Sequence, residues 1–268
     1  MVNGQMSSET DILTSVASRN DPARVEWQHI PRMRAYELVI RQIEDQILAG
    51  ALHVGDQLPA ERDLAAKLGV SRAAVREAMR AMEAQGVVRS GVGVGPDSGT
   101  FLTSMPSKAL TQFLRLHMAL ANFPIDDVLE ARIMLERWSA RLAARQASAD
   151  DLATMARLLD AMDAETADMR AFNELDTDFH VAMAEAAHNT LITEMTTAIR
   201  HSMRSMVLAS FRDHGDWEQL SGMLRTQHRT IYDAIANHDQ QRAADAVEEH
   251  LRSAHAILGW ADRSSGDR

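Results

Sequence analysis

Apolar and polar positions divide this chain into three stretches of different period. The first thirty residues show none and are rich in Ser, Asn, Asp and Thr. Between about 34 and 102 helical and extended signals alternate. A helix from about Arg34 to Ala49 closes on Gly50, and another begins near Pro59 and ends where Gly69 can take the left-handed C′ conformation. Ser71 then caps a third helix. In it Val75, Ala78, Met79 and Met82 recur at the spacing of one buried face, while Arg72, Arg76 and Arg80 lie along another. Ala65 lets the two helices approach, Gly69 permits the reversal, and Val75 locks the second helix underneath. Val87-Val88-Arg89 and a glycine-rich hairpin ending in Ser98-Gly99-Thr100-Phe101-Leu102 follow. This order predicts a winged helix-turn-helix of three helices and a small β hairpin, whose second paired helix enters a major groove of DNA. Two amphipathic helices joined by a glycine turn also occur in proteins that never meet DNA; the flanking helix and hairpin favour the DNA-reading alternative.

Beyond Met105 the period is almost wholly helical. Leu110-Gln112-Phe113-Leu114-Leu116 begins one helix, and Ile125 to Ala147 forms another with Leu129, Ile133 or Met134, Ala140 and Ala144 inward. Ser148 with Asp151 resembles a capping box for a helix from Asp151 to Ala164. Further helices are predicted over about Met169–Ala187, Thr190–Phe211, Trp217–Asn237 and Asp239–Ala261. The fold class is therefore mainly α, a winged helix-turn-helix followed by an all-α bundle. The 16 methionines read as adaptable core filling.

At 268 residues the chain exceeds one ordinary domain. The expected division is a tail over 1–30, a DNA-binding domain over 31–105, a helical effector-binding and dimerisation domain over 106–262, and a tail over 263–268. The formal net charge of −10 looks wrong for a DNA binder until it is located. Residues 30–90 hold 9 Lys+Arg against 8 Asp+Glu, whereas 91–268 hold 17 against 26. The acidity thus sits away from the proposed DNA surface, where salt screens it beyond about 8 to 10 Å. With no cysteine there are neither disulfides nor thiolate metal sites. No run is long enough to cross a bilayer, and the first 30 residues lack a signal-peptide core, so a soluble cytoplasmic protein without a membrane partner is expected.

Candidate chemistry lies in FNELDTDFH. Asp176 and His180 are four apart and project from one helical face, whereas Glu174 and Asp178 fall off it. His228 shares its side with Ile231, Tyr232 and Ile235, and His250 with Val247, Ala254 and Leu258, so both imidazoles are expected inside the bundle. One carboxylate with three neutral imidazoles suits Zn²⁺ foremost, with Mn²⁺ or Ni²⁺ as alternatives. The competing reading of Asp176 and His180 is an ordinary ion pair in a chain with 11 histidines. A His₃Asp ion could also activate water in a hydrolase-like enzyme. That reading lacks a positioned general base and leaves the winged helix unexplained, so no enzyme is expected.

The residues from Ala35 to Val88, with LPAERDLA-x-x-LGVSR-x-x-VREA at their centre, closely resemble the DNA-binding domain of GntR-family bacterial transcription regulators. The resemblance implies that Arg62, Ser71, Arg72 and Arg76 contact DNA and that Gly99 and Thr100 enter the minor groove from the wing. The wing, SGVGVGPDSGTF, is longer than the family's usual hairpin and carries Asp97. From Ile125 to Leu258 the chain resembles the FCD ligand-sensing domain of the fatty-acid-regulator branch. That resemblance maps metal ligands onto Asp176, His180, His228 and His250 and an effector-carboxylate arginine onto Arg132. Arg132 alternatively pairs with Glu136, four residues on, and Asn189 either contacts the effector or caps a helix. The implied function is a homodimeric repressor on a palindromic double-stranded operator, relieved by a small organic acid bound beside the metal. A metal-responsive regulator is the alternative. Because acyl-CoA-binding relatives lack the metal quartet, a long acyl chain is disfavoured.

Overall fold

A computed structural model describes residues 33–91, 98–104, 106–164 and 168–258. The expected tails over 1–30 and 263–268, residues 31–32 at the start of the expected DNA-binding domain, and wing residues 92–97 with Asp97 lie outside the described residues.

The N-terminal unit comprises α1 (Ala35–Leu48), α2 (Glu61–Leu68), α3 (Arg72–Ala84) and an antiparallel pair, β1 (Val88–Gly91) with β2 (Gly99–Leu102). Gly69 ends α2 at φ 66°, the left-handed conformation that a Cβ would disfavour. Ser71 Oγ accepts from Ala74 N–H at 3.1 Å and starts α3. Val75, Ala78, Met79 and Met82 are buried against Val39, Ile43, Leu58 and Leu64. Two boundaries differ from expectation. α2 begins at Glu61, not Pro59, because the segment before it pairs with the wing: Leu58 N–H donates to Thr100 O at 2.8 Å and holds the chain extended. β1 begins at Val88 because Val87 N–H is engaged in closing α3, donating to Met82 O at 3.0 Å. The wing root is thus tied both to the loop before α2 and to the end of α3.

The remaining helices are α4 (Pro106–Ala119), α5 (Ile125–Gln146), α6 (Ala149–Ala164), α7 (Met169–Glu185), α8 (Thr190–Asp213), α9 (Trp217–Ala236) and α10 (Gln240–Ile257). Their caps are legible in the chain. Ser148 and Asp151 form the reciprocal box, with Ser148 N–H donating to Asp151 Oδ2 at 2.8 Å and Asp151 N–H to Ser148 Oγ at 3.1 Å; Ser148 is thus the cap and Asp151 the third helical residue, so the helix starts at Ala149, two residues before the expected Asp151. Asp168, Asn189, Asp216 and Asp239 cap the next four helices. α5 is the centre of the bundle, touching α7, α8, α9 and α10. Fully buried Ala140, Ala143 and Ala144 on α5 face fully buried Ala243 and Val247 on α10, and small side chains let the two axes lie close. The choice between Ile133 and Met134 is settled for Ile133, since Met134 is 72% exposed. This core, built on Phe172, Phe179, Met155, Met162 and Ile231, shares no residue with that of the N-terminal unit. Among the described residues no helix is long and apolar enough to cross a membrane.

Candidate metal centre and DNA-facing surface

The inner stripes of α7, α9 and α10 carry polar residues where apolar ones would be expected. Asp176, His180, His228 and His250 are all buried, and their ligand atoms lie within 4.8 Å of one another. Three helices therefore bring together the four residues that the spacing singled out. Nε2 of His180 and Nε2 of His228 are 3.3 Å apart, and His228 Nε2 is 3.0 Å from Asp176 Oδ1. Glu174 and Asp178 are exposed, and Glu174 pairs instead with Arg204 at 3.0 Å.

The outward faces of these ligands are supported from behind. His250 Nδ1 faces Gln227 Oε1 at 2.9 Å, which makes Nδ1 the donor and leaves Nε2 with its lone pair. His180 Nδ1 lies 2.8 Å from Glu136 Oε2, in a bent approach. His228 Nδ1 is buried without a hydrogen-bond partner among the described residues, and that ring's polar contacts there run through Nε2 toward the centre. Burial, and then Arg200, lower the pKa of His180 to about 4; burial, and then His228 and His180, hold His250 well below the usual imidazole value. Both are neutral at pH 7, the form a metal accepts. For Asp176, burial alone favours the protonated acid, but the His228 contact and Arg200 outweigh it and keep the carboxylate ionised. Nε2 of His228 faces both Asp176 Oδ1 and His180 Nε2 at 3.0–3.3 Å, so a proton on it can be shared with these acceptors, and a cation can take that proton's place between them. The donor set therefore fits a divalent ion.

Beside this cluster runs a buried ionic network. Arg132 Nε donates to Glu136 Oε1 at 3.1 Å, Arg200 Nε donates to the same oxygen at 3.0 Å, and Arg200 Nη2 donates to Glu136 Oε2. Arg200 Nη1 reaches Asp176 Oδ2 at 3.2 Å, steadying the carboxylate whose other oxygen faces the histidines. Burial alone would raise the Glu136 pKa, yet Arg200 and Arg132 hold it well below the usual range. Arg132, Asp176, Arg200, His250 and His255 line a narrow cavity of about 30 Å³, room for a water or two. Larger open grooves exist, one of them bordered by Arg80, Arg89 and Lys108, but it holds no cluster of buried charge. Asn189 is exposed, accepts from Ile192 N–H at 3.2 Å as the cap of α8, and lies outside the cavity at Arg132.

The sequence alone offers Glu136 only as a partner for Arg132 and does not single out Arg200 or Gln227. A signal existed for Arg200: with Thr196, Ile199 and Met203 it completes the buried stripe of α8, an unusual place for an arginine. Gln227, next to His228, carried no comparable signal.

On the N-terminal unit Arg72, Arg76 and Arg80 are exposed along one face of α3. Glu61 Oε2 accepts from Arg76 Nε at 3.1 Å, and Arg62 pairs with Asp63 at 3.0 Å. Gly99 pairs with Gly91 at the distal end of the wing ladder, Thr100 pairs with Ser90, and Arg89 covers the Phe101 ring at 4.9 Å. Ser71 spends its hydroxyl on the α3 cap.

Comparison with known proteins agrees along the chain. The family of bacterial regulatory proteins, gntR family, matches residues 35–96, and the FCD domain matches 127–253. The Glc operon transcriptional activator of Escherichia coli (strain K12) is 28% identical over 222 residues, 81% of this chain and 86% of that protein. An operon regulatory protein of the same organism is 31% identical over 219 residues, 77% and 80% of the two chains. The HTH-type transcriptional repressor NanR of Salmonella newport (strain SL254) is 28% identical over 234 residues, 85% of this chain and 86% of its own. In fold, Streptococcus agalactiae GntR is similar with a TM-score of 0.56 at 24% identity, covering 82% of this chain and 99% of that one.

Proposed function

Because the chain belongs to the gntR family of bacterial regulatory proteins and carries an FCD domain, it is a DNA-binding transcription regulator and not an enzyme, and we propose that a small carboxylate bound beside a metal ion sets its operator affinity. The observation that carries this reading is the buried convergence of Asp176, His180, His228 and His250 next to Arg132.

In this reading residues 31–105 bind DNA and 106–262 bind the effector and dimerise. Arg72 and Arg76 on α3 reach base edges or phosphates in the major groove, Arg62 and the Ser71 segment secure the backbone, and Gly99 with Thr100 carries the wing to the minor groove. A two-fold dimer sets two such helices on a palindromic operator. In the bundle, Arg132 grips one effector carboxylate by two charge-assisted hydrogen bonds, a geometry that guanidinium shares with carboxylate. A bound divalent ion, Zn²⁺ foremost, supplies a Lewis-acidic docking point for a further effector oxygen. Asn189 keeps its capping role. Admission of an effector requires the narrow cavity to widen, which separates α8 from α9 and α10. That movement gives the two states between which an effector can discriminate; repression in its absence and release in its presence follow when the effector prefers the state with lower operator affinity.

The test begins with operator selection from random duplex DNA by the purified protein. Operator affinity is then measured at constant salt with zinc and a panel of small carboxylates. A saturating carboxylate that lowers affinity by tenfold or more supports the reading. Stabilisation of the bundle with unchanged operator affinity contradicts it. A change with metal alone, independent of every carboxylate, favours the metal-responsive alternative.

A further inference from the structure

Four ionised side chains meet beside the histidines, and their charges cancel: Arg132 and Arg200 against Glu136 and Asp176. Their satisfaction is uneven. Glu136, 1% exposed, accepts from both guanidinium groups and faces His180 as well, so its oxygens are fully engaged. Arg200 directs Nε, Nη1 and Nη2 at carboxylate oxygens. Arg132 directs Nε at Glu136; among the described residues its Nη1 meets nothing better than the thioether sulfur of Met203 at 3.8 Å. A 7% exposed guanidinium lining a cavity with so poor an acceptor is placed for an external anion.

An anion entering that cavity nevertheless finds no net positive charge, because the two carboxylates already offset the two arginines. We infer that Glu136 makes carboxylate binding at Arg132 conditional on a divalent cation in the His₃Asp cluster. This rests on the carboxylate-effector reading above and adds its regulation. Glu136 is neither in the ligand cluster nor on the cavity wall, so it stands behind the arginines as a fixed counter-charge. In a low-dielectric interior such a charge acts strongly on anything that enters. A cation on the cluster shifts the local balance by two positive charges and creates the attraction the metal-free site lacks. The bundle therefore admits its effector only after its metal, and metal and carboxylate affinities rise together by the same factor.

The test uses the full-length protein, stripped by chelator and then dialysed, titrated calorimetrically with acetate, L-lactate, succinate and benzoate, with and without zinc. Wild type is expected to bind at least one probe ten or more times more tightly with zinc than without. Metal-free Glu136→Gln, which leaves two guanidinium groups against one carboxylate, is expected to bind that probe at least tenfold more tightly than metal-free wild type. Asp176→Asn carries the same charge change and serves if Glu136→Gln does not fold, as judged by helical circular dichroism and a cooperative melt. Equal affinity of wild type with and without zinc overturns the inference, as does a folded metal-free variant that binds no more tightly than wild type. If zinc-loaded wild type binds no probe, the carboxylate-effector reading itself fails, and this inference with it.

Discussion

Arg200→Met would remove the one cation that both inner carboxylates share. Arg200 is 6% exposed and donates to Glu136 and to Asp176, the latter at 3.2 Å. At charge separations of about 4 Å and an effective dielectric constant of about 20, each contact represents an attraction of about 4 kcal/mol. Methionine, however, escapes the several kcal/mol needed to bury a guanidinium. Removing one partner of a buried ion pair therefore destabilises by about 3–5 kcal/mol, most of it from the carboxylates left behind. For a unit of this size that corresponds to a melting temperature lower by about 6 to 20 °C. The assay is thermal unfolding followed by circular dichroism, with chelator and then with excess zinc. Since the variant network, Arg132 with Glu136 and Asp176, carries net negative charge, zinc should recover more stability in the variant than it adds to the parent. Replacing Glu136 by methionine in the same chain should restore part of the loss, because Asp176 and Arg132 then balance. A melting temperature for Arg200→Met within about 2 °C of the parent in chelator would refute a desolvated network.

Arg76→Ala should weaken operator binding by about 1–3 kcal/mol at fixed salt, measured by fluorescence anisotropy, with helical content unchanged because its ion pair with Glu61 is partly solvated. Gly99→Ala should lower operator affinity while leaving bundle melting intact: Gly99 sits at φ 139° and a Cβ there would come within 2.4 Å of Gln57 Nε2, whose hydrogen bond to Ser98 O braces the wing. Ser148→Ala should cost about 1 kcal/mol in urea unfolding through loss of the α6 cap. The Ser148 hydroxyl, ahead of other causes, lowers the Asp151 pKa. A lowered carboxylate pKa stabilises the fold above the unfolded-state value and loses that contribution as pH falls through the folded value. The variant's stability should therefore fall less steeply on acidification than the parent's.

The helix-turn-helix was legible because it is local. Gly69, Ser71 and the Val75–Met82 stripe each act within a few residues, so their spacing predicts the geometry. The wing boundaries were less legible because they depend on pairing across forty residues, between Leu58 and Thr100. In the bundle the four metal-ligand candidates could be found from helical phase alone, each sharing a face with apolar neighbours. What surrounds them could not. Glu136 meets Arg200 across 64 positions and His180 through the crossing of α5 and α7, and no period along one helix encodes which side chain a neighbouring helix brings to it. A charged residue in the buried phase, as at Glu136 and Arg200, marks that a partner exists without identifying it.

The effector reading rests on the proposal that Asp176, His180, His228 and His250 hold a metal ion. Its most direct test is the metal content per chain of protein purified without a metal-binding tag and without added metal, for wild type beside His228→Ala. Near-stoichiometric metal in wild type, largely lost in a variant that keeps its helical spectrum, is the predicted result. Metal absent from wild type even after incubation with zinc, or equally abundant in both proteins, would contradict it.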